Sequence, residues 1–223
     1  NRREDRYGGS IENRMRFLME TVALVRGELP GFPLMVRVSA TEYCEGGYTE
    51  QDMIALAQAL ERAGVIAIDM SGGTNESPEL SRYCIQPPSF ARRFLEPYAR
   101  PIAKAVGIPT IMAGRVIDPE DAEGILQAGS ADFVAVCRAL VADAWWPRKA
   151  FGEIKTPIRK CISCNVCFER LTLERDVACV TNPMVGLEYE RIETAEPQLR
   201  KNASLPSGRK RILVLGAGVA GVE

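Results

Sequence analysis

Cysteine supplies the first chemistry in this sequence. Cys161, Cys164 and Cys167 are spaced C-x₂-C-x₂-C, and Cys179 follows at a distance. Thiolates are soft anionic ligands. Three on one tight loop can hold one face of a metal–sulfur cubane while a fourth closes the site from afar, so the grouping predicts a [4Fe–4S] cluster. Zinc is the alternative, although Cys₄ zinc sites usually pair one C-x₂-C with a second rather than grouping three and one. Unliganded buried thiols are the remaining reading. Cys44, Cys84 and Cys137 stand alone and read as small buried hydrophobes.

A second motif, Gly216-Ala-Gly218-Val-Ala-Gly221, directly follows the apolar run Arg211–Leu215. G-x-G-x-x-G after a strand and opening a helix allows a tight turn and close backbone approach to a pyrophosphate. The acidic residue that would read the ribose belongs ~20 residues further on, so FAD and NAD(P)H are not separated. Three arginines complete the set. Arg37 interrupts the apolar run Leu34–Ser39, on the face opposite Leu34, Val36 and Val38. A buried arginine needs a partner, so Arg37 is either a structural ion pair or a contact to an anionic or electron-rich ligand. Arg115 follows Gly114 after a third strand, and Arg138 follows a fourth. Arginines at such strand ends can hold a phosphate bidentately or simply lie at the surface.

Composition narrows the function classes. The 223 residues are 46% hydrophobic and 26% charged, as in a soluble globular protein rather than a disordered one. A net charge of −1 gives no nucleic-acid footprint, and no apolar run approaches the ~20 residues of a membrane span. Histidine is absent, which removes histidine acid–base chemistry and histidine metal ligation from this stretch. Seven cysteines, an odd and clustered set, fit a reduced, cytoplasmic setting better than a disulfide framework. The chain starts at Asn1 and stops just past the glycine motif, so it reads as a window from a longer polypeptide.

The elements that must position these residues alternate between helix and strand. Ser10 caps a predicted helix over 11–28, with Ile11, Met15, Leu18, Met19, Val22 and Val25 on one face. Strand 34–39 follows, then a helix over 50–63 opened by a Thr49/Asp52 capping box, then strand 65–70. A long irregular loop over 71–89 leads to a helix over 90–106 that Pro97 or Pro101 interrupts. Strand 110–113 precedes a helix starting at Asp118-Pro119, and strand 132–136 closes the series. Four strands alternating with helices predict a parallel α/β sheet. It is half of a (β/α)₈ barrel or part of a doubly wound sheet. The periodicity fades after ~150, 157–187 reads as a cysteine-bearing loop region, and 193–209 reads as a linker.

Several motifs together resemble the old yellow enzyme-like flavin oxidoreductases. They are Asp5-Arg6-Tyr7-Gly8-Gly9-Ser10-Ile11-Glu12-Asn13-Arg14 with Arg16-Phe17, the Val-Arg37-Val-Ser strand, Glu45-Gly46-Gly47, Ser71-Gly72-Gly73-Thr74 and Gly114-Arg115. The cysteine run with Asn182-Pro183 and Gly186 resembles the multidomain branch that includes 2,4-dienoyl-CoA reductase, 2-enoate reductase and trimethylamine dehydrogenase. The resemblance implies an FMN-binding TIM barrel of which 1–152 supplies strands five to eight, a [4Fe–4S] segment at 153–192, the linker at 193–209, and the start of an FAD- or NAD(P)-binding domain at 210–223. It implies that Arg37 contacts the flavin near N1/O2. Gly114, Arg115, Cys137 and Arg138 would approach the FMN phosphate. Cys161, Cys164, Cys167 and Cys179 would ligate the cluster, and Gly216, Gly218 and Gly221 would bind a dinucleotide. Many relatives carry glycine or alanine at Cys137.

The implied enzyme is an NAD(P)H-dependent reductase of activated alkenes acting on a small molecule. An amine dehydrogenase, or a non-catalytic metal-binding fragment, is the alternative. An amine pocket would need an aromatic cage, and loop 71–89 with its border offers Tyr83 and Phe90. Reductase relatives carry a histidine after the sixth barrel strand, where this sequence has Asn75. Tyr83 on that loop either gives a proton or packs, so no catalytic residue is assigned.

Overall fold

The computed structural model describes residues 3–187. The chain divides into two compact units, the first ending at Cys137 and the second starting at Arg138. That division falls earlier than the expected end of the barrel segment at 152.

In the first unit four parallel strands form one sheet: β1 (Met35–Ser39), β2 (Ala67–Ser71), β3 (Thr110–Met112) and β4 (Phe133–Val134). Their order in the sheet is β1-β2-β3-β4. Successive strands of a barrel wall follow one another in this order, as do those on one side of a doubly wound sheet's switch point. Helix α1 (Ile11–Glu28) precedes the sheet, and α2 (Glu50–Arg62), α3 (Pro78–Ser81), α4 (Glu96–Lys104) and α5 (Pro119–Gln127) lie between strands.

Local chemistry sets these boundaries. The Ser10 hydroxyl accepts from the Asn13 amide at the head of α1. Thr49 and Asp52 exchange backbone bonds of 3.2 and 3.0 Å at the head of α2, as a capping box should. At α5, the Asp121 carboxylate accepts from the amides of Ile117 and Asp118. Helix α4 is shorter than expected. It starts at Glu96, with Pro97 in its first turn and Pro101 inside it. Proline fits a first turn because that N–H has no helical partner anyway. The short α3 sits in a loop expected to be irregular, with Pro78 at its start.

The sheet has two unlike faces. Val36, Val38, Ile68, Met70 and Met112 are buried against Met53, Leu56 and Leu60 of α2 and Ala99 and Ile102 of α4. Each large side chain buried this way contributes ~1.5–3 kcal/mol. On the α1 face expected to be apolar, Val22 is buried and Met15, Leu18 and Met19 pack against the same core. The register row Arg37–Asp69–Ile111–Phe133 lies on the other face. There Met35 is 52% exposed and Phe133 59%. Parallel sheets normally have both faces covered, so this face calls for cover.

In the second unit α6 (Arg138–Ala142), α7 (Trp146–Ala150) and α8 (Val166–Thr172) are short. Helix α8 lies inside the stretch expected to be loop. The proposed linker 193–209 and the glycine motif of Gly216, Gly218 and Gly221 lie outside the described residues.

Candidate functional sites

In the first unit, the loops leaving the carboxyl ends of β1, β2 and β3 meet. Tyr43, after β1, stacks on Tyr83 at 4.5 Å between centroids and on Phe94 at 5.2 Å. Phe90 meets Tyr83 and Phe94 edge-on, and Tyr98 of α4 meets Tyr43 edge-on. Five rings therefore gather where loop 71–89 and its border offered two. Burial pushes the Tyr43 phenol well above its ordinary range, helped by Tyr98 and Tyr83. Tyr83 is accounted for by this packing, and the Arg82 guanidinium lies 5.2 Å over its ring.

Glycine makes the approach possible. A Cβ on Gly73, which has φ +89°, would stand 2.6 Å from the Cys84 amide nitrogen. One on Gly114, φ +129°, would stand 2.9 Å from Leu95 Cβ. Beyond Gly114, Arg115 takes the left-handed conformation at φ 53° and its Nη1 donates to the Phe90 carbonyl. The turn Gly114-Arg115 is thus locked onto the loop after β2.

Arg37 sits in the open row. Its Nη1 donates to Asp69 Oδ2 at 2.6 Å, and its side chain is 55% exposed while that of Asp69 is 12% exposed. It is therefore an ion pair and also a cation facing an uncovered surface. Asp69 Oδ1 is buried with no hydrogen-bond partner. Sequence reasoning passed over Asp69, although a carboxylate inside the apolar run 65–70 was a signal. The Arg14 of the N-terminal motif does structural work, pairing with Asp52 of α2 at 2.8 Å. Burial would raise the Asp52 pKa, but the bonds from Thr49 and Arg14 outweigh it and hold the carboxyl below its usual range.

In the second unit one small pocket is lined by Cys161, Cys164, Cys167 and Cys179 together with Arg138 and Asn165. Ser163 and Asn165 adopt left-handed φ of 57° and 63°, which curls the segment so that its three cysteines reach one pocket. The Ser163 amide donates to Cys161 Sγ at 3.3 Å. The Ser163 hydroxyl is buried without a partner. Thr181 Oγ1 lies 3.3 Å from Cys179 Sγ. Burial pushes the Cys167 thiol up, and Cys161 and Cys179 add to the shift while Arg138 opposes it.

A buried ion pair braces one arm of the pocket. Lys149 Nζ meets Asp143 Oδ2 at 2.8 Å, and Asp143 also accepts from the Arg159 amide just before Cys161. On the other arm, Asn182 donates to the Val141 carbonyl at 2.8 Å and accepts from the Arg159 guanidinium and the Met184 amide.

Zinc and a cubane space their sulfurs differently. A tetrahedral zinc with ~2.3 Å bonds brings its four sulfurs to within ~3.8 Å of one another. Among the described residues no three Cys, Asp or Glu side chains are grouped so that they could hold a single ion. A cubane binds each thiolate to a different iron, so its sulfurs stand further apart around a common space. The four cysteines line one pocket. Of the lone cysteines, Cys44 and Cys84 are half-buried and burial raises both thiols. Cys137 is exposed, contrary to the expectation of a buried hydrophobe, because it lies where the chain leaves β4.

Comparison with known proteins gives a consistent picture. The model of the NADH:flavin oxidoreductase / NADH oxidase family matches residues 1–156. The NADH oxidase of Thermoanaerobacter brockii is 39% identical over 100% of this chain and 33% of its own length. The cinnamate reductase of Clostridium sporogenes is 33% identical over 100% of this chain and 34% of its own. Histamine dehydrogenase from Rhizobium sp. 4-9 superimposes with a TM-score of 0.73 at 26% identity, over 84% of this chain and 27% of that one. The chain thus spans about a third of the length of the curated relatives it matches. No helix among the described residues is long and apolar enough to cross a membrane.

Proposed function

The chain belongs to the NADH:flavin oxidoreductase / NADH oxidase family, and from that premise we propose that it forms the C-terminal half of an FMN-binding (β/α)₈ barrel followed by a [4Fe–4S] segment. The whole protein is proposed to be an NAD(P)H oxidoreductase that reduces activated alkenes of the enoate type. The observation that carries the reading is the pocket lined by Cys161, Cys164, Cys167 and Cys179 immediately after a sequentially wound parallel sheet. The exposed sheet face carrying Met35 and Phe133 supports a barrel wall whose inner face other strands would cover.

The residues present fit both groups. Four thiols, with an amide already directed at Cys161 Sγ, suit an iron–sulfur cluster. The Gly114-Arg115 turn, at the carboxyl end of β3, lies where a parallel barrel places phosphate-bearing ligands. When bound, FMN supplies hydride transfer to the alkene and the cluster supplies single-electron transfer.

Around them, the chain's own residues bind and orient. Arg37, whose Nη1 donates to Asp69, would present its positive charge to the flavin's N1/O2 side. Gly114, Arg115, Cys137 and Arg138 are the residues assigned to the FMN phosphate, and the four cysteines are assigned to the irons. A nicotinamide nucleotide, or FAD, is assigned to Gly216, Gly218 and Gly221.

A second reading, an amine dehydrogenase, is favoured by the likeness to histamine dehydrogenase and by the gathered rings of Tyr43, Tyr83, Phe90 and Phe94. The complete polypeptide bearing this chain separates the two. Purified anaerobically, it should carry FMN and oxidise NADH or NADPH when given cinnamate. Turnover of histamine with a dye acceptor, and none of cinnamate, would establish the second reading. A purified protein without FMN would overturn both.

A further inference from the structure

We propose that Asp69 is a positioning residue that offsets the charge of Arg37 at the flavin, and so lowers the flavin's reduction potential. The inference rests on the FMN barrel proposed above and deepens it by giving Asp69 a role in tuning that site.

Arg37 and Asp69 stand opposite one another in the register of β1 with β2. Arg37 Nη1 donates to Asp69 Oδ2 at 2.6 Å. No other residue of the four strands is ionisable. The sheet itself therefore supplies one cation and one anion, and it places them together. A carboxylate this deep in a sheet costs free energy unless its oxygens are bonded. Asp69 Oδ1 is nevertheless buried with no hydrogen-bond partner. A carboxylate that merely tied strands together would be expected to use both oxygens. The guanidinium is the one group that Asp69 serves through its side chain.

The two charges are unequally placed. The Arg37 side chain is 55% exposed and that of Asp69 is 12% exposed. The guanidinium is thus the part offered to a ligand on the open face, and the carboxylate lies deeper. An arginine stays charged at every working pH, so the anion beside it is what moderates its field.

Two electrons and one proton leave a flavin one unit more negative. A cation favours that state and an anion opposes it, each in proportion to 1/εr. Arg37 alone would raise the potential, and Asp69 cancels part of the rise. Asp69 thereby keeps hydride donation to a weakly activated alkene favourable.

The test is an anaerobic redox titration of FMN, read by absorbance, in the complete polypeptide bearing this chain. Asp69→Asn keeps an oxygen for Arg37 and removes the charge. It should raise the midpoint by about tenfold in the two-electron equilibrium constant, ~30 mV. Asp69→Glu keeps the charge and should recover most of the wild-type value. An FMN-loaded Asp69→Asn protein with an unchanged or lowered midpoint would overturn the inference and leave the FMN reading standing. Equal shifts in Asp69→Glu and Asp69→Asn would mean disturbed packing rather than lost charge, and would overturn it as well. If Asp69→Asn does not hold FMN, the neutral and shorter Asp69→Ser is judged by the same criterion. Loss of FMN from both neutral variants would make Asp69 a structural residue and reject the proposal. Wild-type protein without FMN would overturn the FMN reading itself, and the inference with it.

Discussion

Replacing Gly114 with alanine tests how tightly the turn after β3 is built. Gly114 has φ +129°, a region that side chains rarely enter, and a Cβ there would stand 2.9 Å from Leu95 Cβ. Leu95 is 1% exposed, and the clash is with an atom next to its backbone, so it cannot swing away. Backbone strain of this kind costs ~1–3 kcal/mol. Overpacking a filled core costs a further ~1–3 kcal/mol. The smaller entropy of an unfolded alanine returns ~0.4–1 kcal/mol. The net loss expected for Gly114→Ala is therefore about 1–5.5 kcal/mol. In urea, with a slope of ~2 kcal/mol/M, the midpoint should fall by roughly 0.5–2.8 M at unchanged slope. Gly9→Ala is the control, because Gly9 has φ +81° with nothing within 4 Å of the added carbon. It should cost only the backbone part. Equal losses in the two variants, or a loss below ~0.5 kcal/mol for Gly114→Ala, would refute the close contact with Leu95.

Two more outcomes follow from particular side chains. Glu96 accepts from Arg93, Ser130 and Arg100 at 2.7, 2.8 and 2.6 Å; burial alone would raise its pKa, but these bonds outweigh it and hold it below the usual carboxylate range. A lowered folded-state pKa stabilises the protein fully above the unfolded value of ~4.3 and loses that contribution as pH falls through the folded value. Thermal melts from pH 7 down to 3 should thus show a smaller acid loss for Glu96→Gln than for wild type, and parallel curves would contradict this. Cys164→Ser should abolish the cluster's visible absorbance after reconstitution while Cys84→Ser retains it. Equal losses in both would mean that the ligand set is wrong.

Much of the fold was legible because its signals are local. Ser10, the Thr49/Asp52 box and Pro119 mark helix starts through bonds made within three or four residues. The apolar runs around Val36, Ile68 and Met112 mark buried strands whatever their neighbours. Helix α8 escaped notice because seven residues, Val166–Thr172, are too few to show a period. The start of α4 was misjudged by several residues. The stretch before it is held by Arg93, whose guanidinium bonds Glu96 and the Gly124 carbonyl, and Gly124 is distant in sequence.

The candidate sites divide along the same line. The cysteine grouping was readable because three of its members share one loop. The Arg37–Asp69 pair was half readable: the cation stood out in its strand, but its partner depends on the register of β1 with β2. The ring cluster was not readable, since Tyr43, Tyr83, Phe94 and Tyr98 come from separate segments and meet only when the strand ends align. Arg138 had been expected at a phosphate. Its bond to Asn165 in the cysteine pocket depends on a contact 27 residues away along the chain.

The central claim is that Cys161, Cys164, Cys167 and Cys179 hold an iron–sulfur cubane. Metal and acid-labile sulfide analysis of the anaerobically reconstituted chain tests it most directly. About four irons and four sulfides per chain are expected for a [4Fe–4S] cluster. One zinc per chain with no sulfide would contradict it.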